Sequence, residues 1–286
     1  MGFLVALISA FCSTAKDIVS KSLATKVHAD VSTFASFLFA LPFYLVVMVV
    51  VSLFGVQTLS YTGSFFALVL ARSITDVFAE GFKMKAFAAG DISLVTSFMA
   101  LSPLILALLS PFITGDTVTT HDFIALGFIV CGSLFLIRRD KVTGKVFQLK
   151  ALVYALLASI AFALNSCFDR LAVVNSGALL SGFAMTLMAG VFCVPVVLRH
   201  RNAGSQLKLH ARPFLWRGGW ETLFMVSKLF AMTILEAHVV LGITRVSLFF
   251  SVLAGRVMFG ERDTKRRFFG ALCMYAGLAL LLWQHI

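Results

Sequence analysis

The sequence predicts an all-α integral membrane protein with ten transmembrane helices arranged as two inverted five-helix repeats. Three observations predict it. The chain is 60% hydrophobic and only 13% charged, with thirty Phe and a mean hydropathy of +0.97, well beyond the balance of a soluble domain. Its apolar runs break into ten segments long enough to cross a bilayer, which takes roughly 17–25 helical residues. A pattern of charged and small residues also recurs at a constant offset of 145 positions, the mark of an internal duplication.

The segments lie near 3–24, 31–54, 63–82, 92–114, 121–138, 149–171, 178–198, 214–234, 239–259 and 266–284. The first carries Lys16 and Asp17 and lacks a basic leader, so it reads as a mature span and not a cleaved signal. The second contains "LPFYLVVMVVVSLF" and the tenth "RFFGALCMYAGLALLLW", runs that only a lipid environment explains. The third and eighth hold the repeat's strongest signal. "LARSITDVFAEGFKMKAFAAGD" (70–91) aligns with "LWRGGWETLFMVSKLFAMTILE" (215–236), matching Arg72 with Arg217, Asp76 with Glu221, Lys83 with Lys228 and Asp91 with Glu236. The register continues through Gly115-Asp116 with Gly260-Glu261, Phe123 with Phe268 and Gly132 with Gly277. Near the start of each half the offset drifts to about 149, where Lys21 meets Arg170. The boundaries that follow are 1–138 for the first repeat, 139–148 for a basic linker and 149–286 for the second repeat.

Five helices per repeat is an odd number, so the second copy enters the membrane from the opposite side. Inverted repeats of this kind are a recurring architecture of secondary transporters, with the substrate site near the midplane between the halves. The net charge of +11 belongs to the loops of one side: Lys26; Lys83 and Lys85; "RRDKVTGK" (138–145); "RHRNAGSQLKLHAR" (199–212); and "ERDTKRR" (261–267). That asymmetry places the basic side in the cytoplasm and both termini outside, and it excludes nucleic acid as the reason for the charge. A bacterial inner membrane is the expected location. The five Cys are scattered with no CxxC pair, so neither a disulfide framework nor a metal site is expected. No HExxH, GxGD or Walker motif is present, so the reading is of a protein that is not an enzyme and needs no cofactor.

The charges inside helices 3 and 8 demand an explanation, since each costs about 2.5–3.5 kcal/mol at the bilayer centre. Positions 72, 76, 80 and 83 fall within roughly an 80° arc of a helix, as do 217, 221 and 228. Each helix therefore carries a polar stripe facing protein or water. Two roles are open. The stripes can pair internally, since Arg72–Asp76, Arg217–Glu221 and Asp17–Lys21 have i,i+4 spacing. Alternatively they line a cavity for an ionic substrate. In that reading Lys16, Arg72, Asp76, Lys83, Arg217, Glu221, Lys228 and Arg245 bind a small anionic or zwitterionic metabolite, moved by alternating access. Arg suits a carboxylate or phosphate bidentately and Lys acts as a point charge. Glu80 and Asp17 are the candidates to carry coupling protons. Glu80 breaks the repeat, its equivalent being Met225, although it also stands three residues from Lys83 on the same stripe. Arg245, deep in "LGITRVSLFF", is either a substrate clamp or a carboxylate's partner. His238 is expected at the surface and Asp116 at a helix cap. Pro103 and Pro111 mark a kink or a flexible point in helix 4. Export of cationic or amphipathic compounds, movement of lipid-linked substrates, and a channel or structural membrane subunit are the alternatives. Beyond the substrate, membrane lipid is the expected partner.

The paired segments "SPLILALLSPFITGDTVTTHDFIALGFIVCGSLFLI" (102–137) and "SLFFSVLAGRVMFGERDTKRRFFGALCMYAGLALLL" (247–282) resemble the EamA-like ten-helix members of the drug/metabolite transporter superfamily. In that family a Pro, an apolar run, Gly-Glu and a Gly-containing closing helix recur in each half. Gly115-Asp116 and Leu248, the latter opposite Pro103, depart from the pattern. The resemblance implies a secondary transporter whose central cavity is lined by helices 1, 3, 4, 6, 8 and 9, with helices 5 and 10 peripheral.

Overall fold

A computed structural model describes the chain except residues 25, 55–61, 91–94, 96, 97, 100, 136–144, 248, 249, 251–263 and 286. The described residues are helical with no strand. Twelve helical segments follow one another: α1 (Gly2–Ala24), α2 (Ala29–Leu38), α3 (Leu41–Leu53), α4 (Phe65–Ala89), α5 (Ser102–Ile113), α6 (Thr120–Phe135), α7 (Lys145–Ser176), α8 (Ala178–Val197), α9 (Ala203–Leu209), α10 (Ala211–Ile234), α11 (Ala237–Thr244) and α12 (Thr264–His285).

By length and composition, four stretches are apolar enough to cross a membrane: Gly2–Ala24, Ala29–Leu53, Leu149–Ser176 and Ala178–Val197. Helices α4 and α10 are as long but carry the charged stripes. The outward faces stay apolar, with Phe78, Ile74 and Leu70 of α4 and Leu223, Leu215 and Phe230 of α10 exposed, as lipid contact requires.

Several expected boundaries shift. The second expected span breaks at Phe39–Ala40 into α2 and α3, with Pro42 in the first turn of α3, where its missing N–H costs nothing. Helix α4 runs on to Ala89, so Lys83 lies inside the helix and not in a basic loop. Helix α7 has 32 residues, about 48 Å at 1.5 Å per residue. A short helix, α9, forms within the stretch read as a basic loop. Pro103 stands in the first turn of α5 and Pro111 in its last, so both sit at helix ends. The expectations for Asp91, Leu248, Gly260-Glu261 and most of the 139–148 linker fall outside the described residues.

The packing is matched between the halves. Helix α1 lies along α10 as α4 lies along α7. Helices α2 and α8 cross each other, α5 meets α11, and α6 meets α12. The α6–α12 contact shows the correspondence atom by atom. A Cβ on Gly132 would stand 2.5 Å from the Gly270 oxygen and 2.6 Å from Met274; one on Gly277 would stand 2.5 Å from the Ala125 oxygen and 2.9 Å from Ile129. Each of the three residues in one half, Ala125, Ile129 and Gly132, has its partner 145 positions away in the other, Gly270, Met274 and Gly277. Residue i meets j while the equivalents of j and i meet in turn, which is how a two-fold contact is built.

That closeness predicts an outcome. Ala in place of Gly in a helix gains about 1 kcal/mol of propensity, and Gly127, with nothing within 4 Å, should show that gain. Gly277→Ala should instead be destabilising by roughly 1–3 kcal/mol, because the added methyl drives α6 and α12 apart. Unfolding of the two variants in the same detergent would distinguish them.

Candidate functional site

Four helices converge on a buried array of charges. Helix α4 contributes Arg72, Asp76, Glu80 and Lys83; α10 contributes Arg217, Glu221 and Lys228; α1 contributes Lys16 and Asp17; and α7 contributes Asp169. All are buried, Arg217 and Asp169 completely. Lys16 Nζ donates to Glu221 Oε1 at 2.9 Å and to Oε2 at 3.1 Å. Arg72 donates to Asp76 and, through Nε, to Asp169 Oδ1 at 2.8 Å. Lys228 Nζ donates to Asp169 Oδ2 at 2.8 Å and to Ser166 Oγ at 3.1 Å. Arg217 reaches Glu80 at 3.0 Å and Ser20 at 2.6 Å. Lys83 donates to Glu80 at 2.5 Å and stands 3.6 Å from Asp17.

The array repeats across the halves with exchanged chemistry. Lys16 holds Glu221, while Asn165, its equivalent at offset 149, donates to Asp76 at 2.8 Å. Lys83 faces Asp17, while Lys228 bonds Ser166. Arg72 binds Asp169, while Arg217 binds Ser20. Arg217 meets Glu80, while Arg72 meets the Met225 sulfur at 3.9 Å. Lys21 donates to the carbonyl of Phe87 at 2.7 Å, and Arg170 to that of Met232. Every second contact uses positions equivalent to the first, so one geometry carries two different charge distributions.

These side chains surround a cavity of about 50 Å³, far below the 300–1,000 Å³ of a drug-sized site. It is lined from α1, α4, α7, α10 and α11 together with Met99; among the described residues, α6 and α12 contribute nothing to it. Phe224 lies beneath Lys16, with Nζ 3.9 Å from the ring centre, and Phe162 lies 5.6 Å from Lys83 Nζ. Cations over rings in desolvated sites add about 2 kcal/mol or more.

The structure brings all ten sequence-nominated residues to this region, and it changes the reading of several. Glu80 is held by Lys83 and Arg217, so it is not a free carboxylate. Asp17 is the loosely held one: its Oδ1 is buried with no hydrogen-bond partner, and Lys83 is 3.6 Å away. Arg245 lines the cavity and donates to Ser102 Oγ at 2.5 Å, with its Nε buried and unbonded; of its two expected roles, substrate clamp or carboxylate's partner, the hydroxyl contact matches neither directly. His238 is not at the surface but fully buried, 3.5 Å from Asp122 and 3.7 Å from Glu236. Asp116 does not cap its own helix. It accepts from the Ala237 N–H at 3.3 Å, the first turn of α11, while Asp122 accepts from Thr119 N at 2.9 Å at the start of α6.

Sequence reasoning missed Asp169, Asn165, Ser166 and Ser20. The signal was present: "NSCFDR" places 165, 166 and 169 on one helical face, and the 149 offset sets them opposite Lys16, Asp17 and Ser20.

The comparisons with known proteins agree with this architecture. The EamA-like transporter family matches residues 1–138 and again 149–283. The chain belongs to that family. It is therefore an integral membrane protein of transporter type and not an enzyme. The S-adenosylmethionine uptake transporter of Rickettsia conorii is 24% identical, covering 99% of this chain and 91% of the relative. Those of Rickettsia bellii (23% identical; 99% and 92%) and Rickettsia prowazekii (22%; 97% and 91%) are similar over comparable lengths. A solved crystal structure shares the fold with a TM-score of 0.68 at 11% identity, over 99% of this chain and 96% of its own.

Removing one member of a buried ion network leaves its partners uncompensated, typically at a cost of about 3–5 kcal/mol. Asp169→Ala should therefore be strongly destabilising, since Arg72 and Lys228 both depend on it. Lys85→Ala, on α4 with Arg72 but outside the array, should change little. Replacing Asp169 and Lys228 together by Asn and Met should recover part of the loss. Denaturation midpoints of the four proteins in one detergent would measure this.

Proposed function

We propose that this protein is a secondary transporter for a small zwitterionic metabolite carrying an α-amino-acid head, with S-adenosylmethionine the first compound to test. The observation that carries the reading is that the cavity is lined by ion pairs between buried cations and carboxylates, with too little free volume for a metabolite. A ligand must displace side chains that already neutralise one another. A purely anionic ligand would free a buried carboxylate, and a purely cationic one would free a buried Lys or Arg. A zwitterion exchanges a pair for a pair: its carboxylate takes a cation such as Lys228, Arg72 or Arg245, and its ammonium takes Glu221 or Asp76. No buried charge is stranded. Phe162 and Phe224 offer apolar and cation–π surface for the rest of the molecule, including a sulfonium. The Rickettsia relatives support this substrate class.

In this reading the two halves are inverted copies that rock about the matched helix pairs, with the basic loops on the cytoplasmic side of a bacterial inner membrane. Opening one face breaks ion pairs between the halves, and the substrate's own two charges replace them. Asp17, the least constrained carboxylate, carries the coupling proton.

Purified protein in liposomes should accumulate labelled S-adenosylmethionine and show counterflow from preloaded vesicles, which a channel would not. Decarboxylated S-adenosylmethionine lacks the carboxylate and should compete roughly 10- to 100-fold more weakly, the loss of one charge-assisted hydrogen bond. Equal competition by the two would reject the zwitterion reading. Asp17→Asn should preserve counterflow but abolish accumulation driven by a proton gradient; loss of both would remove Asp17 from the coupling role.

A further inference from the structure

On the face bearing the basic loops, three side chains from two distant segments converge away from the central cavity. His28 is the N-cap of α2 and Asp30 lies in its first turn. His200 follows the end of α8. His200 Nε2 is 3.2 Å from Asp30 Oδ2, and His28 Nδ1 is 3.6 Å from the same oxygen. One ligand atom from each residue lies within 4.8 Å of the others. The geometry points to a divalent transition-metal site, of the kind filled by Zn²⁺, that bridges α2 of the first half to α8 of the second.

Three arguments support it. Zinc bonds to imidazole nitrogen and carboxylate oxygen are 2.0–2.2 Å long, so neighbouring ligand atoms around a tetrahedral ion stand about 3.3–3.5 Å apart. The observed 3.2 and 3.6 Å edges bracket that value, and the third lies within 4.8 Å. The electronic state of His28 also fits. Its Nδ1 accepts a long, weak hydrogen bond of 3.4 Å from the Asp30 N–H, a bond that an ion taking the same lone pair would replace. The imidazole rings lie 4.1 Å apart and tilted by 40°, which brings their nitrogens to one place. The donor set of two nitrogens and one oxygen suits Zn²⁺, Ni²⁺, Co²⁺ or Cu²⁺ over Mg²⁺ or Ca²⁺, which prefer all-oxygen sites. The His28 side chain is half-exposed, leaving an entry path and room for a fourth, exchangeable ligand. Surrounding Lys and Arg repel cations at long range, so affinity here comes from the coordinate bonds themselves.

The ligands are 170 residues apart in the chain, and the His28 N–H also donates to Gln206 Oε1 at 3.2 Å between these segments. An ion held by all three would clamp the two halves on this face. A ligand that binds only the folded, closed arrangement stabilises it by mass action.

The test uses full-length protein with any polyhistidine tag removed, titrated with ZnCl₂ and CoCl₂. Wild type should bind one Zn²⁺ per chain. His28→Ala and His200→Ala should each bind at least tenfold more weakly, and excess Mg²⁺ should not compete. The Co²⁺ complex should show the intense visible bands of tetrahedral cobalt, absent in Asp30→Asn. Zn²⁺ should raise the unfolding midpoint of wild type and not of His200→Asn, a variant that retains a polar side chain. Unchanged Zn²⁺ affinity in the His28→Ala/His200→Ala double variant, or no saturable binding to wild type, would overturn the site. Binding that leaves the wild-type midpoint unmoved would overturn the bridge.

Discussion

Everything in the centre of this protein depends on charge compensation between helices. A lone buried ion is expensive in the bilayer, and here four helices each bring ions that pair within a helix and across to the others. Lys16 of α1 needs Glu221 of α10, Asp169 of α7 holds Arg72 of α4 and Lys228 of α10 together, and Glu80 of α4 holds Arg217 of α10. These bonds run between segments far apart in the chain. The helices whose hydropathy is least convincing, α4 and α10, are therefore the ones the assembly binds most firmly.

Such an arrangement is a poor way to maximise stability, because apolar packing of the same volume is often equal or better. Its merit lies in exchange. In the proposed mechanism, ion pairs around a small cavity are traded for a ligand's own charges at little net electrostatic cost, and the traded pairs lie between elements that would move. The two halves use one geometry with different chemistry: Lys16 opposite Asn165, Asp17 opposite Ser166, Ser20 opposite Asp169, Glu80 opposite Met225. A duplicated frame thus yields an asymmetric site, which a substrate with two unlike ends requires.

Most of the frame was legible in the sequence. The duplication at offset 145 reads directly from Arg72/Arg217, Lys83/Lys228 and Gly132/Gly277, and the Gly pair takes up equivalent positions in the α6–α12 contact. The break at Phe39–Ala40 and the extension of α4 to Ala89 were not legible, because helix ends in an apolar chain leave almost no trace in hydropathy. The site was half legible. Charges on α4 and α10 stand out against their apolar surroundings, whereas Asp169 is a single carboxylate in a long apolar helix and is matched across the repeat by the uncharged Ser20. His238 was misread because it lies near a helix end, where exposure is the usual outcome, and is covered by segments from elsewhere in the chain; Asp116 does serve a helix start as expected, but that of α11 and not of the helix that follows it.

By itself the sequence determined that this is a helical membrane protein built twice over, with a polar stripe on two equivalent helices. Composition and periodicity are local properties, and they fix which face of a helix lipid can touch. Only the tertiary structure decided which cation meets which carboxylate. Glu80 proved to be held twice and Asp17 barely held, and His28, Asp30 and His200 became neighbours. Those are distances between residues tens to hundreds of positions apart, and a distance across a bundle is set by how helices pack, which no single helix encodes.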